Sequence, residues 1–330
     1  MPGLTESLRE RATVAAQDWA PGSKVVSVSS LTGGTSSLTF VAEFAGAPEE
    51  RVVLKVAPPG LAPVRNRDVL RQGRLMAALH GRPGVRVPPV LFSDPGEPPE
   101  VSPFVAMGLV PGECVEPALS DDRDPAGFPE VRSRGLDAAK VLAAIHALDP
   151  AAVGLGAEPV VTLGAEIDRW TRAFGTVPED LRHNYERYAR LLRETMPEPL
   201  PPVVNHGDYR LGNTLCRDGR VEAVIDWEIW SVGDPRVDLT WFTFFTDEAH
   251  HPGAPSSGPS GMPTAAELLA AYGQEPPDLR WFDALTRYKE AAATALLIKR
   301  GRKNGDLTGP MARMVPALPG LLEEAAALVS

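Results

Sequence analysis

Asp208 and Asn213 stand five residues apart in the run His206-Gly207-Asp208-Tyr209-Arg210-Leu211-Gly212-Asn213, and Asp226 follows thirteen residues later in Val224-Ile225-Asp226-Trp227-Glu228. Any one of these residues alone reads as a helix cap, a turn or a strand end. Together, bounded by the apolar segments 203–205 and 221–225, they have the spacing of a phosphoryl-transfer site. That reaction asks for two anionic partners held in line with their charge neutralised, and little covalent help. Asp208 is the candidate catalytic residue, accepting a hydrogen bond from an attacking hydroxyl and taking its proton. Asn213 and Asp226 are the candidate metal ligands, offering hard oxygens of the kind that suit magnesium shared with substrate phosphates.

The whole chain is consistent with such an enzyme. Its 330 residues suffice for one bilobal protein. A net charge of −10 without a basic stretch argues against nucleic acid as a partner, and leaves room for a cationic small molecule. Cys114 and Cys216 form no metal-binding pattern. The charged N-terminus lacks a signal-peptide core and no apolar run is long enough for a membrane span, so the chain reads as cytoplasmic with no membrane partner.

Periodicity divides the chain at Val110-Pro111-Gly112. Residues 1–110 read as a small lobe: a helix over 4–18, strands over 24–31, 38–44, 51–56, 90–93 and 101–107, and a helix over 66–79. Residues 111–330 read as mainly helical, with helices over 131–148, 165–174, 180–195, 236–245, 265–271, 279–300 and 311–329. Strands over 203–205 and 221–225 frame the motif, and 250–263, rich in Pro, Gly and Ser, reads as a mobile loop. The fold class is α+β: a small antiparallel sheet lobe joined to a helical one.

Three further features support the chemistry. Lys55 is a lone lysine in the apolar strand Val52-Val53-Leu54-Lys55-Val56, where burial without a partner is costly. It sits where kinases place the lysine that reaches nucleotide phosphates. Gly33, Gly34, Thr35, Ser36 and Ser37 lie between two strands; glycines there admit phosphates to the backbone, and the hydroxyls donate to them. Arg210 is placed either to steady the transferring phosphoryl group or to pair with a structural carboxylate. His206 reads as a brace for the loop, His146 as a packed histidine, and Gly233-Asp234-Pro235 with Asp238 as a helix cap that ties the magnesium loop down. Trp170, Trp230, Trp241 and Phe242 read as core, with a ring-lined pocket as the alternative.

Protein kinases carry H-R-D-x-x-x-x-N and then D-F-G. Here Gly207 replaces that arginine and Trp227-Glu228 replace Phe-Gly, which points toward small-molecule kinases. The chain resembles the aminoglycoside phosphotransferase and choline kinase-like family, of protein-kinase-like fold, and within it the bacterial branch related to the phosphotransferase domain of some acyl-CoA dehydrogenases. The resemblance rests on Leu31 to Thr39, Leu54-Lys55-Val56, Ile145 to Pro150, Asn205 to Asn213, Ile225 to Glu228, and Gly233 to Leu239. It implies a nucleotide clamp in the first lobe, with adenine against Met107, Gly108 and Val110, and ATP or GTP as co-substrate with Mg2+. It also places Gln72 where the fold usually has a glutamate paired with the strand lysine; a glutamine can bond Lys55 but not neutralise it. The expected function is transfer of the γ-phosphoryl group to a hydroxyl of an antibiotic, sugar, nucleoside or hydroxyacyl compound. The alternative is a nucleotide-binding pseudokinase or regulatory module without turnover.

Overall fold

The structure, a computed structural model, describes residues 2–31, 37–248, 250–256 and 258–330. Among these, β1 (Lys24–Ser30), β2 (Leu38–Ala45), β3 (Arg51–Val56), β4 (Val90–Asp94) and β5 (Phe104–Gly108) form an antiparallel sheet in the order β1-β2-β3-β5-β4. The two-residue period of β3 decides what each face carries. Val52, Leu54 and Val56 are fully buried on one face, with Phe40, Phe44 and Phe104, under Leu8 and Ala12 of α1 (Pro2–Ala15). Val53 and Lys55 point the other way. That face packs against α2 (Val69–Leu79), which is capped by the Asp68 side chain accepting the Arg71 N–H at 2.9 Å. Gly73 lets α2 approach closely, because a Cβ there would lie 2.8 Å from a methyl of Val105. The alternation therefore leaves Lys55 facing the space between the lobes.

The strand expected over 101–107 begins only at Phe104. Pro103 has no N–H to give to a ladder, and Val101 pairs with Glu97 in an isolated bridge instead.

The second lobe comprises α3 (Phe128–His146), β6 (Val160–Val161), α4 (Leu163–Gly175), α5 (Tyr185–Glu194), β7 (Val203–Asn205), β8 (Thr214–Arg217), β9 (Arg220–Val224), β10 (Ser231–Gly233), α6 (Arg236–Phe244), α7 (Ala265–Tyr272), α8 (Leu279–Asn304) and α9 (Gly309–Val329). The helix expected over 180–195 starts at Tyr185, because His183 and Asn184 take left-handed backbone angles of 42° and 57°. Strands β6, β8 and β10 have two to four residues, too few to show a period in sequence. β8 and β9 form a hairpin, and β10 lies between β6 and β7.

α6 runs between two apolar clusters. Leu239 and Phe242 join the cluster of α3 and α7; Trp241 and Phe244 join that of α4, α5, α8 and α9. Its entry is fixed by Arg236, a fully buried guanidinium that bonds Asp234 at 2.8 and 2.9 Å, the Glu198 carbonyl at 2.7 Å and the Pro277 carbonyl at 3.1 Å. Removing one partner of such a pair strands the other charge in the interior. Arg236→Ala should cost about 3–5 kcal/mol, read from the midpoint of denaturant unfolding; a loss under about 1 kcal/mol would show that water reaches Asp234.

Candidate active site

The catalytic loop leaves β7 at Asn205, and its backbone is held from below. Asp238 on α6 is fully buried and accepts the N–H groups of His206 and, at 2.8 Å, Gly207. Burial pushes the Asp238 carboxyl up, but His146, His206 and Lys289 around it draw it below the ordinary aspartate range. Asp238 thus braces the catalytic loop and not the magnesium loop named in the sequence reading. Asp234 does act as a cap, accepting the Arg236 N–H at 3.0 Å. Gly207 has φ of 89°, and a Cβ there would lie 2.6 Å from the Ile229 carbonyl. The arginine of H-R-D has no place on this backbone.

His206 links the two halves of the motif. Its Nδ1 accepts the Asp208 N–H at 3.2 Å, which makes Nε2 the protonated nitrogen, and Nε2 donates to the Ile225 carbonyl at 2.8 Å. The Ile225 N–H in turn donates to the Asn213 carbonyl at 2.9 Å. Asp226, the next residue, is left-handed with φ of 63°. Such a residue in a non-glycine position is strained and marks a turn set by its surroundings.

These bonds bring the sequence-predicted triad together. The Asn213 Nδ2 donates to the Asp208 carbonyl and to Asp208 Oδ2, both at 2.8 Å, so its amide oxygen is the atom left over. Asp226 Oδ1 accepts from Lys55 Nζ at 2.7 Å across the cleft. Burial raises the Asp226 carboxyl, yet Lys55 outweighs it and the group lies below the usual range. It is ionised at neutral pH. Among the described residues no cluster of three or more His, Cys, Asp or Glu is placed to hold a metal by itself. One amide oxygen and one ionised carboxylate suit a magnesium ion that takes its remaining oxygens from water and phosphate.

Arg210 pairs with two carboxylates. Its Nε lies 3.3 and 3.4 Å from the Asp208 oxygens, and its Nη1 donates to Glu116 at 3.0 Å. Glu116 also accepts the Gly212 N–H at 3.0 Å, clamping the loop from the segment after β5. Ser37 is buried just before β2, and Gly33, Gly34, Thr35 and Ser36 lie outside the described residues. Met107 is buried in β5, and the Gly108 N–H donates to the Pro89 carbonyl at 2.9 Å. Gln72 does not bond Lys55. Its Nε2 donates to the Asn66 carbonyl at 3.1 Å, and its Oε1 has no partner among the described residues. The expected neighbour of Lys55 is replaced by Asp226.

Three side chains that contact the loop lie outside the motifs of the sequence. Glu116 belongs to no motif. Trp241, read mainly as core, donates its indole N–H to Asp208 Oδ1 at 2.8 Å, while Trp170, Trp230 and Phe242 are core as expected. Lys289 on α8 donates to the Gly207 carbonyl. Lys289 stands between Arg287-Tyr288 and Glu290, so the local sequence gives it no signal of the kind that singles out Lys55. His251 also differs from expectation: it is buried against Phe244 and Phe245, with ring centroids 4.7 and 4.9 Å away, and is not a loop residue in solvent.

The fold is the protein-kinase-like fold, and its cleft carries the paired oxygens of a phosphotransferase. Residues 27–285 match the model of the phosphotransferase enzyme family, and the chain belongs to that family. Acyl-CoA dehydrogenase family member 10 of Mus musculus is 26% identical over 319 residues, covering 89% of this chain and 28% of that protein. Family member 11 of Gallus gallus is 27% identical over 320 residues, covering 89% and 39%. The chain thus spans roughly a third of the length of these relatives. Among solved structures, a Ralstonia eutropha protein provisionally assigned to the aminoglycoside phosphotransferases superposes with a TM-score of 0.71 at 21% identity, covering 98% and 97% of the two chains. A thermostable mutant of aminoglycoside phosphotransferase APH(4)-Ia, in complex with ADP and hygromycin B, gives 0.58 at 17%, covering 91% and 95%. No helix among the described residues is long and apolar enough to cross a membrane.

Glu290, one residue after Lys289, is fully enclosed and bonded by Thr294 at 3.3 Å. Burial, and next the charge of Asp208, push its carboxyl from 4.5 up to about 8. Between those two values the folded chain keeps a proton that the unfolded chain has released. Its contribution to stability therefore falls as pH rises through that window and levels off above it. Glu290→Gln removes the effect, so the variant should gain stability relative to the parent between about pH 5 and about pH 8 in denaturant titrations. Identical pH dependence in the two proteins would mean that Glu290 is ionised in the fold.

Proposed function

We propose that this protein is a magnesium-dependent small-molecule kinase that moves the γ-phosphoryl group of ATP or GTP to an acceptor hydroxyl. The observation that carries the reading is the convergence of Asp208, Asn213 and Asp226, tied together through His206 and Ile225. Asp208 orients the hydroxyl and takes its proton as the new O–P bond forms and the bond from the γ-phosphorus to the bridging oxygen breaks. Nucleoside diphosphate leaves. Lys55, which reaches across the cleft to Asp226, would hold the nucleotide phosphates; Arg210 supplies positive charge beside the transferring group. Asn213 and Asp226 would hold Mg2+, which when bound neutralises phosphate charge.

For the acceptor, we infer a hydroxyacyl compound. Sequence likeness runs to proteins named as acyl-CoA dehydrogenase family members, at 26–27% over 89% of the chain, and is lower for structures of antibiotic kinases. A nucleotide-binding module without turnover is the second reading. It draws on Gln72, which leaves Lys55 with no carboxylate from α2 among the described residues.

Both readings meet one experiment: nucleotide consumption measured over hydroxyacyl thioesters, hydroxy acids, aminoglycosides, macrolides, sugars and nucleosides. Turnover with a hydroxyacyl compound is expected, and Asp208→Ala should lower it by ~10²–10⁴ while nucleotide still binds. Turnover that survives in Asp208→Ala removes the base assignment; turnover with none of the panel favours the second reading. Asp226→Ala should abolish the magnesium dependence of nucleotide affinity in calorimetry. Titrations that keep the parent's response to magnesium would count against its metal role.

A further inference from the structure

Asp208 has to present one lone pair to an incoming hydroxyl, yet its side chain is 29% exposed and sits at the edge of a loop. Two short bonds fix it. Asn213 Nδ2 holds Oδ2 at 2.8 Å and Trp241 Nε1 holds Oδ1 at 2.8 Å, while Arg210 stands farther off. Asn213 and Arg210 belong to the same loop and move with it. Among the described residues, Trp241 is the one donor to this carboxylate from outside the loop. It stands on α6, one turn beyond Asp238, so one helix holds both the backbone of the loop and the carboxylate it presents.

The indole is itself held. Trp241 is 4% exposed, the Phe245 ring lies 4.9 Å from it, and the Lys289 ammonium sits 3.7 Å from its ring centroid. A cation on an aromatic face is attracted by the ring quadrupole. It also polarises the ring, which leaves the N–H edge more positive and makes it a stronger donor. Lys289 is 3% exposed and makes no ion pair within 4.0 Å among the described residues; its partners are the Gly207 carbonyl and the rings of Trp241 and Trp170. Bracing α8 against the loop accounts for the Gly207 bond. It does not account for an ammonium seated over the one indole that reaches Asp208.

We propose that Trp241 is a positioning residue for phosphoryl transfer, its indole N–H fixing the Asp208 carboxylate under the polarising charge of Lys289. The proposal rests on the kinase reading of Asp208. It assigns a role in kcat to a residue that acts through Asp208, and to a second residue that acts through the first.

The test uses the full chain with MgATP or MgGTP, following release of inorganic phosphate, with water in place of the acceptor hydroxyl. Nucleotide affinity is measured by calorimetry, and folding by circular dichroism. Trp241→Phe keeps the ring and removes the donor, and should lower kcat about 10- to 100-fold, the scale of one hydrogen bond to a charged group. KM and Kd for the nucleotide should stay within about 2-fold. Lys289→Met should lower kcat in the parent but change it less than about 2-fold in the Trp241→Phe background, because two residues acting in series do not add. Lys289→Arg should restore most of the loss. Should Trp241→Phe fail to fold, benzothienylalanine at position 241 keeps the bicyclic shape without the N–H, and the same loss is expected. An unchanged kcat in either position-241 variant overturns the proposal, as does an equal loss for Lys289→Met in both backgrounds. Asp208→Ala run beside them separates the two levels. If it keeps its rate, the kinase reading fails; if it is inactive while the position-241 variant is normal, the positioning role alone fails.

Discussion

A carboxylate in the middle of the helical lobe carries the architecture of the cleft. Asp238 has no contact with solvent and accepts the N–H groups of His206 and Gly207. A buried charge persists only where hydrogen bonds and opposite charges compensate it, and here the catalytic loop supplies much of that compensation. The dependence runs both ways. The loop cannot leave α6 without stranding Asp238, and Asp238 cannot be satisfied unless the loop adopts the backbone that Gly207 alone permits. Everything above follows from that platform: the tautomer of His206, the bond from Ile225 to Asn213, and the turn at Asp226.

The two lobes meet through charge. Lys55 crosses to Asp226. Arg71 of α2 crosses to Glu158 at 2.9 Å and to the Trp230 carbonyl at 3.2 Å, and lies 3.7 Å from the centroid of the Trp230 ring. Arg71 therefore seats α2 on the segment that follows Asp226. Gln72, its neighbour, supplies no charge to Lys55. The burden of orienting Lys55 has passed to Asp226.

Much of this site was legible in the chain. Asp208, Asn213 and Asp226 are close in sequence and act through a local strand–loop–strand unit, so their spacing alone encodes their convergence. Lys55 was legible because an alternating strand must send it to one face. Glu116, Trp241 and Lys289 were not, since each meets the loop from 33 or more residues away. Indole and lysine side chains in a helix have many ordinary uses, and no local pattern tells which one will face a carboxylate. The brace at Asp238 was assigned to the wrong loop for the same reason: its helix was readable, its target was not.

The residues of the chain by themselves determined the candidate atoms for the chemistry, the period-two strand that aims Lys55, and the glycine that departs from a protein-kinase loop. Local sterics and short-range spacing suffice for those. Tertiary structure decided who holds them: that Lys55 is met by Asp226 and not by Gln72, that His251 is packed among aromatic rings, and that Asp208 is gripped by Trp241. Those outcomes depend on how burial of two apolar clusters sets α6 and α8 against the loop. Burial of this kind is non-directional and long-range, and it leaves no spacing rule in the sequence to be read.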